Sequence, residues 1–314
     1  MDALAPLTSP VVLAFLLGLS AALMRSDLRL PEQVHGFLSL YLLLAIGLKG
    51  GVGLRGADLG DLALPVLVTL VLGVVTPLLA FGVLRLMTRL STTDRAALAA
   101  HYGSTSLVTF TAAIAALDAA RVSTEGYLAT LLAVLEVPGI VVGLLLAGRA
   151  AGGSRREAFR EVLTGKSILL LVGGLAIGAV TGASGYVAVE PLFGGLFQGV
   201  LVLFLLDLGV LAGQRLRDVP QAGVGLVAAA LLLPLVNGTL GVLGGTAAGL
   251  SVGGAAVLGV LAASASYIAA PAAVRLALPE ANPAYYLTSS LGITFPFNLV
   301  VGIPLLLGLA QSLR

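Results

Sequence analysis

The sequence predicts an all-α polytopic membrane protein in which ten transmembrane helices form two inverted repeats of five helices each. Three observations lead to this prediction. First, 58% of the 314 residues are hydrophobic and 10% are charged, whereas a soluble domain carries about 25% charged residues. Second, the apolar residues fall into ten stretches, and about 20 such residues span a bilayer as a helix. Third, the two halves of the chain carry matching glycine and polar positions.

The ten apolar stretches are separated by short polar loops. We place them at residues 9–25, 35–54, 62–87, 94–117, 126–148, 166–184, 193–213, 221–249, 254–278 and 284–311. The most substantial polar loop begins at Arg149 and ends at Lys166, at the middle of the chain. It divides the protein into a first repeat at 1–150, a linker at 151–165 and a second repeat at 166–314.

The basic residues predict the orientation in the membrane. With ten spans, both termini lie on the same side. The loops that follow the odd-numbered spans carry thirteen of the 17 Lys and Arg residues, and the opposite side carries the other four. Because basic residues are enriched in cytoplasmic loops, we expect the linker in the cytoplasm and both termini outside.

The two halves align with a nearly constant offset. Gly47 in the second span and Arg55 just after it fall 162 residues before Gly209 in the seventh span and Arg217 shortly after that span. An odd number of helices in each half means that the second half enters the membrane upside down. Inverted repeats of this kind are typical of secondary transporters.

Each half also contains one apolar span that is interrupted by small polar residues. The first interruption comprises Gly103, Ser104, Thr105 and Ser106, and the second comprises Ser264, Ala265 and Ser266. Paired breaks at corresponding positions of two repeats indicate a transporter binding site near the middle of the membrane. If both spans unwind there, the amides and positive dipole ends of the following half-helices favour an anion. The alternative is a small-residue seam that allows close helix packing.

Two carboxylates, Glu136 and Asp207, lie inside apolar spans. A charge in the hydrocarbon region is costly, so each carboxylate is a functional candidate. Carboxylate, hydroxyl and amide oxygens suit a hard cation such as Na⁺. We therefore predict Na⁺ ligands among Asp207, Glu136, Thr109, Thr294 and Asn298. The alternative for Asp207 is a residue that pairs helices or contacts a second subunit.

Two further polar residues have structural alternatives. His101 directly precedes the first break, where it can sense pH or, as we favour, serve as a hydrogen-bonded structural residue. Asn237 lies close to Pro234 in the eighth span, and its amide can satisfy the kink that a proline makes in a helix.

The composition excludes several function classes. The chain has no cysteine and two histidines, so disulfides, thiolate metal sites and multi-histidine sites are ruled out. The net charge is only +2, and the basic residues are scattered, which argues against nucleic-acid binding. No catalytic constellation is visible. We therefore expect no enzymatic activity and no cofactor, apart from Na⁺ as a coupling ion.

Three motifs carry a resemblance to a known family. They are GSTSLVTF at 103–110, SASYIAAPAAVR at 264–275 and LGITFPFN at 291–298. With them the chain resembles, over essentially its whole length, the SbtA family of sodium-dependent bicarbonate transporters. The resemblance implies core and gate domains, a homotrimer in the plasma membrane, and elevator-type symport of Na⁺ and bicarbonate. It implies that the anion lies between residues 103–106 and 264–266.

The resemblance also extends to a partner. Many members of the SbtA family are inhibited by SbtB, a small cytoplasmic PII-like protein. The central loop of this chain departs from the family in being short.

The residues at the breaks fit a small monovalent anion. They offer hydroxyls and amides but no arginine, so a phosphate or dicarboxylate would lack its usual bidentate partner. The sequence thus predicts a secondary active symporter of Na⁺ and bicarbonate. Two alternatives stay open: a sodium-coupled carrier of another small organic monocarboxylate, and a passive anion channel.

Overall fold

The computed structural model describes residues 9–148 and 152–313, and within these residues the chain is helical almost throughout, with no strand. The helices are α1 (Pro10–Leu23), α2 (Glu32–Arg55), α3 (Leu59–Met87), α4 (Thr92–Gly103), α5 (Leu107–Ala119), α6 (Leu128–Leu146), α7 (Arg155–Thr164), α8 (Lys166–Val187), α9 (Phe197–Leu216), α10 (Val219–Ala222), α11 (Val224–Ala247), α12 (Val252–Ala263) and α13 (Ala269–Ala277). A C-terminal helix at Pro283–Ser312 includes π-helical turns at Thr288–Thr294 and Asn298–Gly302.

Seven helical stretches in the described part are long and apolar enough to cross a membrane. They are α2, α3, α6, α7 together with α8, α9, α11 and the C-terminal helix. The helices α1 and α12 are apolar but shorter. The prediction of an all-α polytopic membrane protein is confirmed at this level. Each predicted span coincides with one of these helices or with a pair of shorter ones, whereas the ten-span topology itself stays a prediction.

Both spans that the sequence predicts to be interrupted are interrupted. Helix α4 is separated from α5 by residues 104–106, and α12 is separated from α13 by residues 264–268. The first residue after each helix, Ser104 or Ser264, has an extended backbone. The small polar residues therefore mark the places where the helical hydrogen bonding stops.

The helices of the two halves pack against each other in an exchanged pattern. Helix α1 packs chiefly against α9, and α2 packs chiefly against α8. Glycines permit this close approach. A Cβ on Gly47 would lie 2.9 Å from the Cα of Gly174, and one on Gly209 would collide with the carbonyl oxygen of Phe15. Gly47 and Gly209, which match in the sequence, thus have matching roles in the two helix pairs.

Two arginines that match in the sequence also make matching contacts. Arg55 donates a hydrogen bond of 2.8 Å to the carbonyl of Val180 in α8. Arg217 donates to the carbonyl of Ala22 in α1. The Val180 carbonyl lies two residues before Gly182, which has a positive φ of 64°. The Ala22 carbonyl lies three residues before Arg25, which has a positive φ of 61°. Each arginine thus ties a carbonyl near an interruption or end of one helix to the helix packed against it.

A second group of helices surrounds the two breaks. Helices α3, α4 and α6 pack together, as do α11, α12 and the C-terminal helix, and α3 joins the two sets through α11. The predicted linker contains α7, which packs against α13. Both breaks are consequently enclosed by helices from both halves of the chain.

Candidate functional site

The two breaks are hydrogen-bonded to each other. The amide of Ser106 donates to the hydroxyl of Ser264 at 2.9 Å, and the hydroxyl of Thr105 lies 3.1 Å from the same oxygen. From the second break, the amide of Ser266 donates to the carbonyl of His101 at 2.8 Å. Residues about half the chain apart therefore form one buried polar centre, as the paired interruptions predict.

The second serine of each break caps the half-helix that follows. The hydroxyl of Ser106 accepts from the amide of Thr109 at 3.2 Å, and that of Ser266 accepts from the amide of Ala270 at 3.1 Å. Ser106 is the N-cap residue of α5, whereas Ser266 lies two residues before Ile268, the N-cap of α13. Each hydroxyl nevertheless satisfies one of the amides that a helix start leaves unpaired. The two serines that match in the sequence thus have similar roles, and two helix N-termini are directed toward the same centre.

The residues that begin the first break serve helix packing. A Cβ on Gly103 would lie 2.7 Å from the Cβ of Pro77 in α3 and 2.9 Å from the carbonyl oxygen of Gly139 in α6. The hydroxyl of Ser104 donates to the carbonyl of Glu136 at 3.0 Å. Ala265 in the second break is buried in the apolar core. These contacts favour the close-packing alternative at these positions, beside the polar centre formed by their neighbours.

A cavity of about 20 Å³ lies against the breaks. Its walls come from both breaks and from helices α2, α6 and α8; the residues are Leu43, Thr105, Ser106, Leu107, Glu136, Ser167, Ser266, Tyr267, Ile268 and Ala269. A space of this size admits roughly one water molecule. A bicarbonate ion is larger, so the helices around the cavity must separate when such an anion enters.

Glu136 is the acidic residue of this cavity. It is only 7% exposed, and its carboxylate makes no hydrogen bond or ion pair with another residue in the described part of the chain. Burying an isolated carboxylate is costly unless a cation or a proton neutralises it. No group of three or more His, Asp or Glu residues lies together in that same part, so a cation here would depend on neutral oxygens as well.

Asn298 has a neutral oxygen near the second break, although the residue does not itself line the cavity. Its Nδ2 donates to the carbonyl of Ala263, the last residue of α12, at 2.8 Å. Its Oδ1 is buried and has no partner among the described residues. Two other predicted Na⁺ ligands, Thr109 and Thr294, have surroundings that differ from those of Asn298. Thr109 is buried beside the first break, whereas the hydroxyl of Thr294 already contacts both Tyr102 and the Ala230 carbonyl, each at 2.7 Å.

Asn237 on α11 is another buried polar residue. Neither polar atom of its buried side chain has a partner in the described residues, so its amide does not satisfy a kink. The next residue, Gly238, packs so closely on the end of α12 that a Cβ would lie 3.0 Å from that of Ala263. Asn237 is thus the neighbour of a residue that packs on the helix end that Asn298 contacts. The signal available in the sequence was a lone asparagine inside an apolar span.

Asp207 is not brought to the breaks. It lies on α9, where its Oδ2 is 2.6 Å from the Nδ1 of His35 on α2. Neither residue lines the cavity. This geometry favours the helix-pairing alternative for Asp207, because the carboxylate already has a close partner that ties the two helices together.

His101 is held as part of the framework of the site. Its Nδ1 lies 2.7 Å from the carbonyl of Ala97 and must therefore carry a proton. The ring stacks on Tyr286 with a centroid distance of 4.4 Å. Its own carbonyl accepts the hydrogen bond from Ser266 that joins the breaks. These contacts fit the expectation of a structural histidine.

Comparison with known protein families gives a match over residues 10–311 to the family model described as the Na⁺-dependent bicarbonate transporter superfamily. The chain belongs to this superfamily. The match includes both breaks and every residue of the cavity. It confirms the resemblance inferred from the sequence motifs, and it shows a transporter family and not an enzyme family. No curated protein matches the chain.

Proposed function

We propose that this protein is a secondary active transporter that carries Na⁺ and bicarbonate together, with the anion held between the two breaks. Membership in the superfamily supports the two substrates. The observation that supports the location is the hydrogen bonding between the breaks beside a cavity lined by Thr105, Ser106 and Ser266. The neutral hydroxyls and amides there bind a monovalent anion without the permanent charge that would hinder its release.

We place the coupling ion, Na⁺, next to the bound bicarbonate. Glu136 contributes a carboxylate to the cavity, and Asn298 has a free carbonyl oxygen at the end of α12. We propose Na⁺ coordination by oxygens of Glu136, Thr109 and Asn298, with Asn237 as an added candidate. A cation beside the anion lowers the electrostatic cost of holding either one in a low-dielectric site. Each ion then raises the affinity for the other by the same factor.

An inverted repeat fits the exchanged helix packing. In one half of the pattern α1 packs on α9, and in the other α8 packs on α2. The matching hydrogen bonds of Arg55 and Arg217 to the partner helices support the same pseudo-two-fold relation. We propose ten spans in a five-plus-five arrangement, in which residues 1–150 and 166–314 are the two repeats.

The cavity also supports an elevator mechanism. Leu43 and Ser167 come from the α2–α8 pair, whereas the break residues come from the second helix group. An anion in this cavity therefore lies at the boundary between a gate and a core. Movement of the core along the gate would carry the bound ions across the membrane.

The family resemblance and the distribution of basic residues imply three further properties. We propose a homotrimer in the plasma membrane, with both termini outside and the linker in the cytoplasm. SbtB remains a candidate cytoplasmic partner. Size-exclusion chromatography with light scattering measures the mass of the purified protein and so tests the trimer. A monomeric mass in several mild detergents would contradict it.

Substrate competition in proteoliposomes tests the proposed anion. Excess unlabelled pyruvate should leave Na⁺-dependent uptake of labelled bicarbonate largely unchanged, because pyruvate is larger than bicarbonate and the cavity at the breaks is small. Strong inhibition by an organic monocarboxylate that is itself transported would favour the alternative carrier. Bicarbonate entry at the same rate with and without Na⁺ would favour a passive channel.

A further inference from the structure

We propose that α7 is an interfacial helix that binds anionic phospholipid headgroups and fixes the C-terminal end of α13 at the membrane surface. The proposal concerns the segment between the two repeats and does not depend on which anion is transported. It follows from the position of α7 in the chain, the arrangement of its side chains and its contacts with α13.

The position of α7 keeps it at the boundary of the bilayer. Helix α6, which can span a membrane, ends at Leu146, and α7 begins at Arg155. Gly165 alone separates the end of α7 from the start of α8. A ten-residue helix joined this closely to a spanning helix stays within reach of the lipid headgroups.

One face of α7 is docked on the protein and the adjacent face is apolar but open. Ala158 and Val162 are buried, whereas Phe159 and Leu163 are 47% and 44% exposed. Successive residues of a helix turn by about 100°, so Phe159 and Leu163 form a stripe directly beside the buried one. Large exposed apolar residues at a membrane boundary are typical of helices that lie in the interface.

The charged residues of α7 are segregated around this stripe. At the same helical spacing, Arg156 and Arg160 lie on the side of Phe159 and Leu163, and Glu157 and Glu161 lie on the opposite flank. Both arginines are exposed and form no ion pair among the described residues. An apolar stripe bordered by free guanidinium groups complements phosphate-bearing lipid headgroups. The acidic flank would face water.

Backbone hydrogen bonds connect this helix to the transport site. The amides of Gly153 and Ser154 donate to the carbonyls of Ala277 and Leu276, each at 3.1 Å. These carbonyls end α13, the half-helix whose start is capped by Ser266. Lipid bound to α7 thus holds one end of the half-helix whose other end forms the anion site.

The absence of tryptophan from the chain permits a direct test in the full-length protein reconstituted in vesicles. Phe159→Trp is expected to emit at short wavelength, to be quenched by brominated phospholipids and to be protected from aqueous acrylamide. Glu161→Trp, on the opposite flank of the same helix, is the matched control and should show the reverse. Equal acrylamide quenching of the two variants would contradict the proposal. It would favour a soluble partner as the group that covers the face of Phe159 and Leu163.

The preference for anionic over zwitterionic lipid headgroups tests the role proposed for the two arginines of α7. In the Phe159→Trp background, brominated phosphatidylglycerol should quench more strongly than brominated phosphatidylcholine at low salt. Each arginine near an anionic surface contributes a factor of about five, so Arg156→Gln with Arg160→Gln should reduce the preference by up to about 30-fold. Glu157→Gln with Glu161→Gln should not reduce it. A preference that survives loss of both arginines, or no preference in the parent, overturns the proposal.

Discussion

The backbone amide of Ser106 donates a hydrogen bond of 2.9 Å to the hydroxyl of Ser264, which lies 158 residues later. The same hydroxyl donates to the carbonyl of Leu261 at 2.7 Å. Ser264 therefore completes the end of its own helix and satisfies an amide of the opposite break. This bond directly links the two halves of the proposed anion site.

Ser264→Ala is expected to slow Na⁺-dependent bicarbonate uptake strongly. The change leaves the buried Ser106 amide without its acceptor, at a cost of about 1–3 kcal/mol, and it disturbs the break that would hold the anion. Ser290→Ala is a suitable control, because Ser290 is another buried serine that donates to a carbonyl of its own helix, Tyr286. Uptake per inserted protein molecule should fall much more for Ser264→Ala, and equal effects would argue against a special role of the break.

Ser106→Ala and Ser266→Ala should each weaken uptake while the protein still inserts and assembles. Each change removes a cap from the half-helix that follows, which costs about 0.5–2 kcal/mol. Because each serine satisfies an amide at a helix start, we expect a loss from each single variant and a larger loss from the pair. Normal uptake by the double variant would remove the site assignment.

Glu136→Gln should raise the Na⁺ concentration needed for half-maximal uptake by about tenfold or more. A tenfold change is about 1.4 kcal/mol, whereas two unit charges 4 Å apart interact by about 4 kcal/mol at an effective dielectric constant of 20. Asp207→Asn is the control, since Asp207 pairs with His35 away from the cavity. A larger shift for Asp207→Asn than for Glu136→Gln would reverse the assignment of the cation site.

Arg55→Gln and Arg217→Gln should destabilise the protein to a similar extent. Each removes a charged donor from a carbonyl of the partner helix. We expect about 1 kcal/mol for each, which lies at the modest end for hydrogen bonds because Arg55 is exposed. Thermal unfolding in detergent measures the effect. Loss of stability in only one variant would show that the two contacts are not equivalent, and would weaken the inverted-repeat proposal.

The helical fold and the two breaks could be predicted from the sequence because they depend on local composition. A run of apolar residues has few alternatives to a spanning helix, and a cluster such as Ser104, Thr105 and Ser106 is conspicuous within such a run. The equivalence of Ser106 and Ser266 was visible from their offset alone. The cap hydrogen bonds give that offset its physical meaning.

The partners of individual polar groups could not be predicted in this way. Asp207 and His35 are 172 residues apart, and nothing in their local sequence indicates that α2 and α9 bring them together. Nothing in the sequence around Thr294 indicates either that its hydroxyl contacts both Tyr102 and the Ala230 carbonyl. The exposed stripe on α7 likewise became visible only when the docking of Ala158 and Val162 fixed which face of the helix is free.

Accumulation of labelled bicarbonate in proteoliposomes under an inward Na⁺ gradient tests the account most directly. We predict accumulation above the equilibrium level, its loss when K⁺ replaces Na⁺ or when a Na⁺ ionophore collapses the gradient, and little accumulation by the Ser264→Ala variant. Equilibration of bicarbonate without accumulation, at a rate independent of Na⁺, would contradict the account.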